Sequence, residues 1–73
     1  MATIEVKSEI AGRVWRLDAE VGEQLEEDDP VMTLESMKME IPVAAPQEGR
    51  VAELLVGEGE AVAEGQLVAR LEV

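Results

Sequence analysis

The stretch GRVWRL at residues Gly12–Leu17 returns 37 positions later as GRVAEL at residues Gly49–Leu54. Extended outward, the same offset aligns residues 2–35 with residues 39–72 without a gap, and 12 of the 34 aligned pairs are identical. Two copies this similar are expected to adopt the same supersecondary structure. The sequence therefore predicts one domain spanning residues 1–73, with two equivalent halves joined by residues 36–38.

Short segments of alternating polarity predict strands in both halves. Ile4 and Val6 lie on one side of an extended chain, as do Ile41 and Val43 in the second half, which is typical of a half-buried strand. A second strand starts at the glycine of each GRV motif, a short third strand follows, and a fourth ends each half. In the fourth strands we expect these side chains to face inward: Met32, Leu34, Leu67, Ala69, Leu71 and Val73.

The acidic segment 20–29 could be interpreted as a helix, but its repeat partner argues against this. Residues 57–66 contain three glycines, and each costs about 1 kcal/mol in a helix interior. Asp28 replaces Gly65 in this segment, and Asp tolerates a left-handed turn position better than most residues. Eight short strands then predict an all-β fold, a sandwich or flattened barrel with a pseudo-twofold axis, whose closure would hide the strand edges.

The composition excludes several classes of function. A chain of 73 residues has little room for a deep catalytic site with its supporting scaffold. Histidine and cysteine are absent, so the chain lacks the usual neutral-pH acid–base group, the thiolate nucleophile and the best transition-metal ligands, and no metal site is expected. Its formal charge of −11 opposes binding to nucleic acid or anionic lipid and could steer the domain toward basic clefts of partner enzymes.

The ends of the chain carry no signal for targeting or membrane insertion. Residues 1–7 do not combine a basic start with a long apolar run, and no segment approaches the ~18 consecutive apolar residues of a membrane span. No Pro/Ala-rich or Gly/Ser-rich linker is present either. We therefore expect a complete, stand-alone, monomeric and cytoplasmic protein.

The junction between the halves lies within the segment Glu35-Ser36-Met37-Lys38-Met39-Glu40. The repeat leaves only residues 36–38 for a tight turn between two strands, and Lys38 is expected to project from the end of the domain opposite the termini. Two-residue hairpins usually contain glycine or asparagine, because both central residues need positive φ angles. Lys38 is therefore either a solubilising turn residue with Met37 and Met39 capping the core, or part of an adaptable docking surface.

The Met-Lys-Met core of this segment, followed by Ala45 and Gly49, resembles the attachment motif of biotin carboxyl carrier domains. The similarity covers nearly the whole chain, and the small stand-alone biotin/lipoyl attachment proteins are most similar to it. The resemblance implies a flattened eight-stranded barrel of two four-stranded antiparallel sheets, with the lysine on a hairpin turn. Ser36 replaces a common alanine, and no protruding loop is inserted between the early strands.

The same resemblance implies a function without catalysis by the chain itself. Biotin protein ligase would use ATP to convert biotin into an acyl-adenylate and join it to Lys38 as an amide. The following residues would contribute to recognition by the ligase and partners: Glu35, Ser36, Met37, Met39 and Glu40. The biotin would then carry carboxylate between a biotin carboxylase and a carboxyltransferase.

Two other functions remain as alternatives. Lipoyl domains share this type of fold, so Lys38 could carry lipoate, or accept both cofactors, although the methionines beside it favour biotin. The chain could also be an unmodified interaction domain with an adhesive patch of Met37, Met39 and Trp15. Our expectation for Trp15, which is replaced by Ala52 in the second half, is a place in the core.

Overall fold

A computed structural model describes residues 2–73, which form eight β-strands and no helix. The strands are β1 (Thr3–Lys7), β2 (Gly12–Leu17), β3 (Gln24–Leu25), β4 (Pro30–Ser36), β5 (Met39–Ala44), β6 (Gly49–Leu54), β7 (Ala61–Val62) and β8 (Leu67–Glu72). This confirms the all-β class and the rejection of a helix at residues 20–29. Within the described range, no segment is a helix long and apolar enough to cross a membrane.

The strands form two antiparallel four-stranded sheets with the orders β1-β8-β6-β3 and β5-β4-β2-β7. The fold is a sandwich, not a closed barrel, so the expectation that closure would hide the edges is wrong. Each sheet keeps two edge strands, and these have features that discourage further pairing. The strands β3 and β7 have two residues each, β5 contains Pro42, and β1 exposes Glu5 and Lys7.

Strand pairing follows the 37-residue offset. Strand β1 pairs with β8 as β5 pairs with β4, and β2 pairs with β4 as β6 pairs with β8. The register of β2 on β4 shifts between Val14 and Arg16, and that of β6 on β8 shifts between Val51 and Glu53. Both sheets therefore contain strands from both halves of the sequence, which ties the halves into one core.

The core between the sheets consists of aliphatic side chains and the thioether of Met32. As the alternation predicts, Val6 and Val43 are buried, Ile4 and Ile41 are half-buried, and Glu5 points to solvent. The most central side chains come from β2, β4, β6 and β8, and these are Val14, Val31, Met32, Leu34, Val51, Val68, Ala69 and Leu71. Strand β4, which leads into the central hairpin, thus belongs to the best-buried part of the domain.

The inward-facing set of the fourth strands is only partly as expected. Met32, Leu34, Ala69 and Leu71 are buried, but Leu67 is half-buried and Val73 is 41% exposed, since Val73 follows the last residue of β8. Val31 and Val68 are buried as well, on the side where alternation predicts exposure. The loops after β2 and β6 are hydrogen-bonded to these residues: Asp18 and Ala19 donate from their backbone N–H groups to the Val31 carbonyl, and Leu55 donates to the Val68 carbonyl.

Trp15 is not in the core, contrary to expectation. It follows the buried Val14 and therefore points to the opposite, outer face, where it is 46% exposed. The Arg16 guanidinium lies 4.7 Å from the centroid of its ring, a cation–π contact. The register shift at this point returns Leu17 to the core side of the strand.

The turn before the fourth strand has the predicted backbone in both halves. Asp28 has φ 75° and Gly65 has φ 82°, so both occupy the left-handed region. In each half a backbone N–H two positions earlier donates a hydrogen bond to a side chain one position later: Glu26 N–H to Asp29 Oδ2, and Ala63 N–H to Gln66 Oε1. The substitution of Asp28 for glycine is thus compatible with the repeated turn geometry.

Candidate functional site

Strands β4 and β5 continue to pair until Ser36 lies opposite Met39, so only Met37 and Lys38 form the turn. Their φ angles are 53° and 65°. Positive φ at both central residues is the signature of a type I′ hairpin turn, in which asparagine and glycine are strongly preferred. The tight turn expected from the repeat is therefore present, built from two residues that disfavour it.

This conformation is maintained by the strands on either side of it. A residue with a Cβ pays roughly 1–2 kcal/mol for left-handed backbone geometry, and Met37 and Lys38 both have that geometry. Four consecutive residues of β4, Val31 to Leu34, are buried, and β4 is hydrogen-bonded to β2 on one side and β5 on the other. Core packing thus offsets the local strain and fixes the place of the lysine.

The two methionines beside the lysine face solvent. Met37 is 92% exposed and Met39 is 62% exposed. The interpretation in which they cap the core is therefore wrong. Unbranched thioethers in this position form a soft apolar surface at the tip of the hairpin.

Lys38 is exposed and has no ion-pair or hydrogen-bond partner within residues 2–73. The other basic side chains in that range all have one. Arg13 donates to the Gly59 carbonyl at 2.7 Å, and the other pairs are Lys7 with Glu5, Arg16 with Asp18, Arg50 with Glu72 and Arg70 with Glu53. The Lys38 amine is thus accessible to a reaction partner without breaking an internal contact.

Two carboxylates lie on the hairpin strands, each two or three residues from Lys38. Glu35 and Glu40 are exposed and lie directly opposite each other, next to the Ser36–Met39 pair. Like charges in this arrangement are destabilising. Arg13 on β2 pairs with Glu35 across the strands, but its guanidinium donates a hydrogen bond to the Gly59 carbonyl instead. The structure therefore brings all the residues predicted for the site to one hairpin end, with Ser36 half-buried beneath the turn.

Sequence reasoning missed one residue at this end of the domain. A Cβ added to Gly12 would lie 2.7 Å from the Glu35 carbonyl oxygen and 3.4 Å from the Ser36 Cβ, closer than Cβ atoms approach a backbone oxygen. Gly12 therefore allows β2 to pass closely beside the end of β4. The signal was its identity with Gly49, whose added Cβ would lie 3.0 Å from the Glu72 carbonyl oxygen at the chain ends.

The hairpin end is a projection and not a cavity. A surface groove of about 340 Å³ runs between the edge strands β1 and β5, and another lies beside Glu26 and Glu48; neither is lined by residues 35–40. An exposed primary amine on a fixed turn is suited to forming an amide with a carboxylic acid that another protein activates. The exposed Lys38 amine is thus a suitable nucleophile for covalent attachment of a carboxylic acid cofactor.

Comparisons with known proteins give the class to which this fold and hairpin belong. The family profile described as "Biotin-requiring enzyme", the biotin/lipoyl domain, matches residues 2–71. A biotin/lipoyl attachment protein of Bacillus subtilis is 41% identical over 66 residues, which are 90% of each chain. The chain belongs to the biotin/lipoyl attachment family.

Solved structures agree with this assignment. The crystal structure of urea carboxylase from Kluyveromyces lactis superposes with a TM-score of 0.92 at 37% identity, covering 97% of this chain and 6% of that one. The lipoyl domain of the 2-oxoglutarate dehydrogenase complex from Azotobacter vinelandii superposes with a TM-score of 0.75 at 27% identity, covering 93% and 94%. The chain therefore corresponds to a small part of the first protein and to nearly all of the second.

Proposed function

We propose that this protein is a biotin carboxyl carrier, biotinylated on Lys38 and serving a biotin-dependent carboxylase or decarboxylase system. The observation that carries the proposal is the exposed Lys38 amine, which has no internal partner and is fixed on a strained two-residue turn between two methionines. The likeness to the B. subtilis attachment protein and to a segment of a urea carboxylase supports the same function.

In the attachment step, the chain supplies a nucleophile and its position. The Lys38 Nζ, after losing a proton, attacks the activated carboxyl carbon of biotin; the new amide bond forms as the bond to the activating group breaks. Only the neutral amine is nucleophilic, so the ligase is expected to assist removal of the proton. The rigid β4–β5 ladder holds the amine away from the rest of the domain during this step.

The residues around Lys38 would provide the recognition surface. Met37 and Met39 offer apolar contacts that adapt to the clefts of different enzymes, and Glu35 and Glu40 offer paired carboxylates to basic side chains of a ligase or partner. Ser36 separates Glu35 from the turn, as Met39 separates Glu40 from it. The attached biotin supplies the carboxyl-transfer chemistry, accepting carboxylate at a biotin carboxylase and releasing it at a carboxyltransferase.

We further propose that residues 1–73 act as a single monomeric domain in the cytoplasm. The shared core of the two halves supports a single unit, and biotin activation by a ligase requires ATP, which the cytoplasm supplies. The domain itself performs no catalysis in this scheme, and substrate choice belongs to the carboxyltransferase.

The test is incubation of the purified chain with biotin, ATP and a biotin protein ligase, followed by intact-mass measurement. The wild-type chain should gain one biotinyl group and Lys38→Arg should gain none. Lys7→Arg is the matched control, because Lys7 is the only other lysine, and it should be labelled like the wild type. Labelling that persists in Lys38→Arg would refute the assignment.

A lipoyl carrier is the second candidate, and the fold match to a lipoyl domain favours it. Presenting the chain to lipoyl ligase and biotin ligase together, with both cofactors, decides between them by the mass of the adduct on Lys38. If neither ligase modifies the chain and Lys38→Arg retains all its binding partners in a pulldown, the protein is instead an unmodified interaction domain.

A further inference from the structure

Methionine sulfur is concentrated at the hairpin tip on both sides of the reactive lysine. The structure describes three methionines, and their exposure differs widely: 92% for Met37, 62% for Met39 and 0% for Met32. Thioethers that water and peroxide can reach are oxidised to sulfoxides, and a buried thioether is protected until the protein opens. The tip thus carries two oxidisable groups within one residue of Lys38.

We propose that Met37 and Met39 form a peroxide-sensitive modification site that controls loading of Lys38. This inference rests on the proposed function. In each step hydrogen peroxide transfers one oxygen atom to the sulfur: its O–O bond breaks, an S–O bond forms and water leaves. The sulfur loses two electrons to the peroxide, and reduction by a methionine sulfoxide reductase reverses the change.

Oxidation at the tip would alter recognition without altering the fold. Neither Met37 nor Met39 belongs to the buried cluster between the sheets, so a sulfoxide there displaces no core packing. The modification converts a flexible apolar side chain into a polar one. The apolar contact surface next to Lys38 is therefore lost while the backbone of the turn, held by β4, stays in place.

Met32 provides an internal reference for the same chemistry. It lies on β4, only five positions before Met37, and is fully buried beside the other core residues. A difference in oxidation rate between these residues therefore reports exposure at the tip and not a property of the strand. Peptide mass spectrometry after graded hydrogen peroxide treatment should show Met37 and Met39 oxidised well before Met32.

The decisive experiment measures biotin transfer before and after limited peroxide treatment, using chain from which peroxide has been removed. We expect the labelling rate to fall by about tenfold, corresponding to loss of about 1.4 kcal/mol of contact energy. The thermal unfolding midpoint should be unchanged, and methionine sulfoxide reductase should restore labelling. An unchanged rate on a chain shown to carry both sulfoxides would overturn the inference.

The double variant Met37→Leu/Met39→Leu is the matched control, with its treated rate compared with its own untreated rate. Leucine is close to methionine in volume and cannot be oxidised in this way, so peroxide should leave the ratio near one. A peroxide-induced loss equal to that of the wild type would assign the effect elsewhere and refute the site. Failure of the untreated wild type to accept biotin would instead refute the proposed function.

Discussion

At the scale of single residues, the site is defined by one lysine, Lys38, without a partner in the described part of the chain, whose other basic side chains are paired. Every other basic side chain in residues 2–73 has a carboxylate or a carbonyl in contact. Gly12 contributes through the side chain that it lacks, since it leaves space for the Glu35 carbonyl at the end of β4. The Lys38 amine is thus available because it lacks a partner within these residues, whereas the position of the turn depends on the close packing of Gly12 against β4.

Gly12→Ala tests whether the position of the turn depends on the close approach of β2 to β4. The new methyl group would lie 2.7 Å from the Glu35 carbonyl oxygen, so β2 and the end of β4 must move apart, and we expect the free energy of unfolding to fall by about 1–3 kcal/mol. Labelling of Lys38 should slow under conditions in which the variant remains folded, because the turn moves with β4. Urea unfolding and the rate of biotin transfer measure the two effects.

Gly49→Ala is the matched control, because it places a methyl group against the Glu72 carbonyl at the chain ends. It should lower stability as well, but leave the labelling rate of the folded protein unchanged. Equal slowing in both variants would mean that Gly12 affects labelling only through global stability.

At the scale of elements, the β4–β5 hairpin combines a stable ladder with an unfavourable turn. Six residue pairs hold the strands together, yet the turn uses two residues that avoid left-handed geometry. Opposed Glu35 and Glu40 add a repulsive pair beside it. Such local conflict is expected where a sequence serves a function other than folding.

Met37→Asn should therefore stabilise the protein while impairing it as a carrier. Asparagine suits this turn position, so we expect the free energy of unfolding to rise by about 1 kcal/mol and biotin transfer to Lys38 to slow as the thioether is lost. Urea unfolding can be followed by fluorescence of Trp15, the only aromatic residue.

Met39→Asn is the control, because Met39 is not among the residues with positive φ. It removes a thioether without relieving strain and should give no gain in stability. A Met37→Asn variant no more stable than the wild type would show that the turn does not store the proposed strain.

The elements also show how far sequence reasoning reached. Alternation and the repeat predicted the strands and the left-handed turn at Asp28, because both depend on local residue types. Trp15 was expected in the core from its residue type, whereas alternation with the buried Val14 already places it on the outer face. The burial of Val31 was missed because it depends on elements that meet only in the folded structure. The close approach of Gly12 to Glu35 depends on tertiary packing, although the repeated glycine marked the position.

At the scale of the whole molecule, two strand pairs related by the repeat have different roles: one ends in the lysine turn and the other ends near the chain termini. The Glu35–Glu40 end of β4–β5 corresponds to the Thr3–Glu72 end of β1–β8, so the lysine turn occupies in one sheet the position that the chain ends occupy in the other. From Thr3 the chain runs through β1 to Gly12, which lies against the base of the lysine turn. The Lys38 turn therefore lies at the end of the sandwich opposite the Thr3–Glu72 pair.

The most direct test is the mass of this protein isolated from its native cells, with fragmentation to locate any adduct. We predict a chain that carries one biotinyl amide on Lys38. A lipoyl group on Lys38, or a chain unmodified at Lys38 in cells that contain active biotin ligase and biotin, would contradict it.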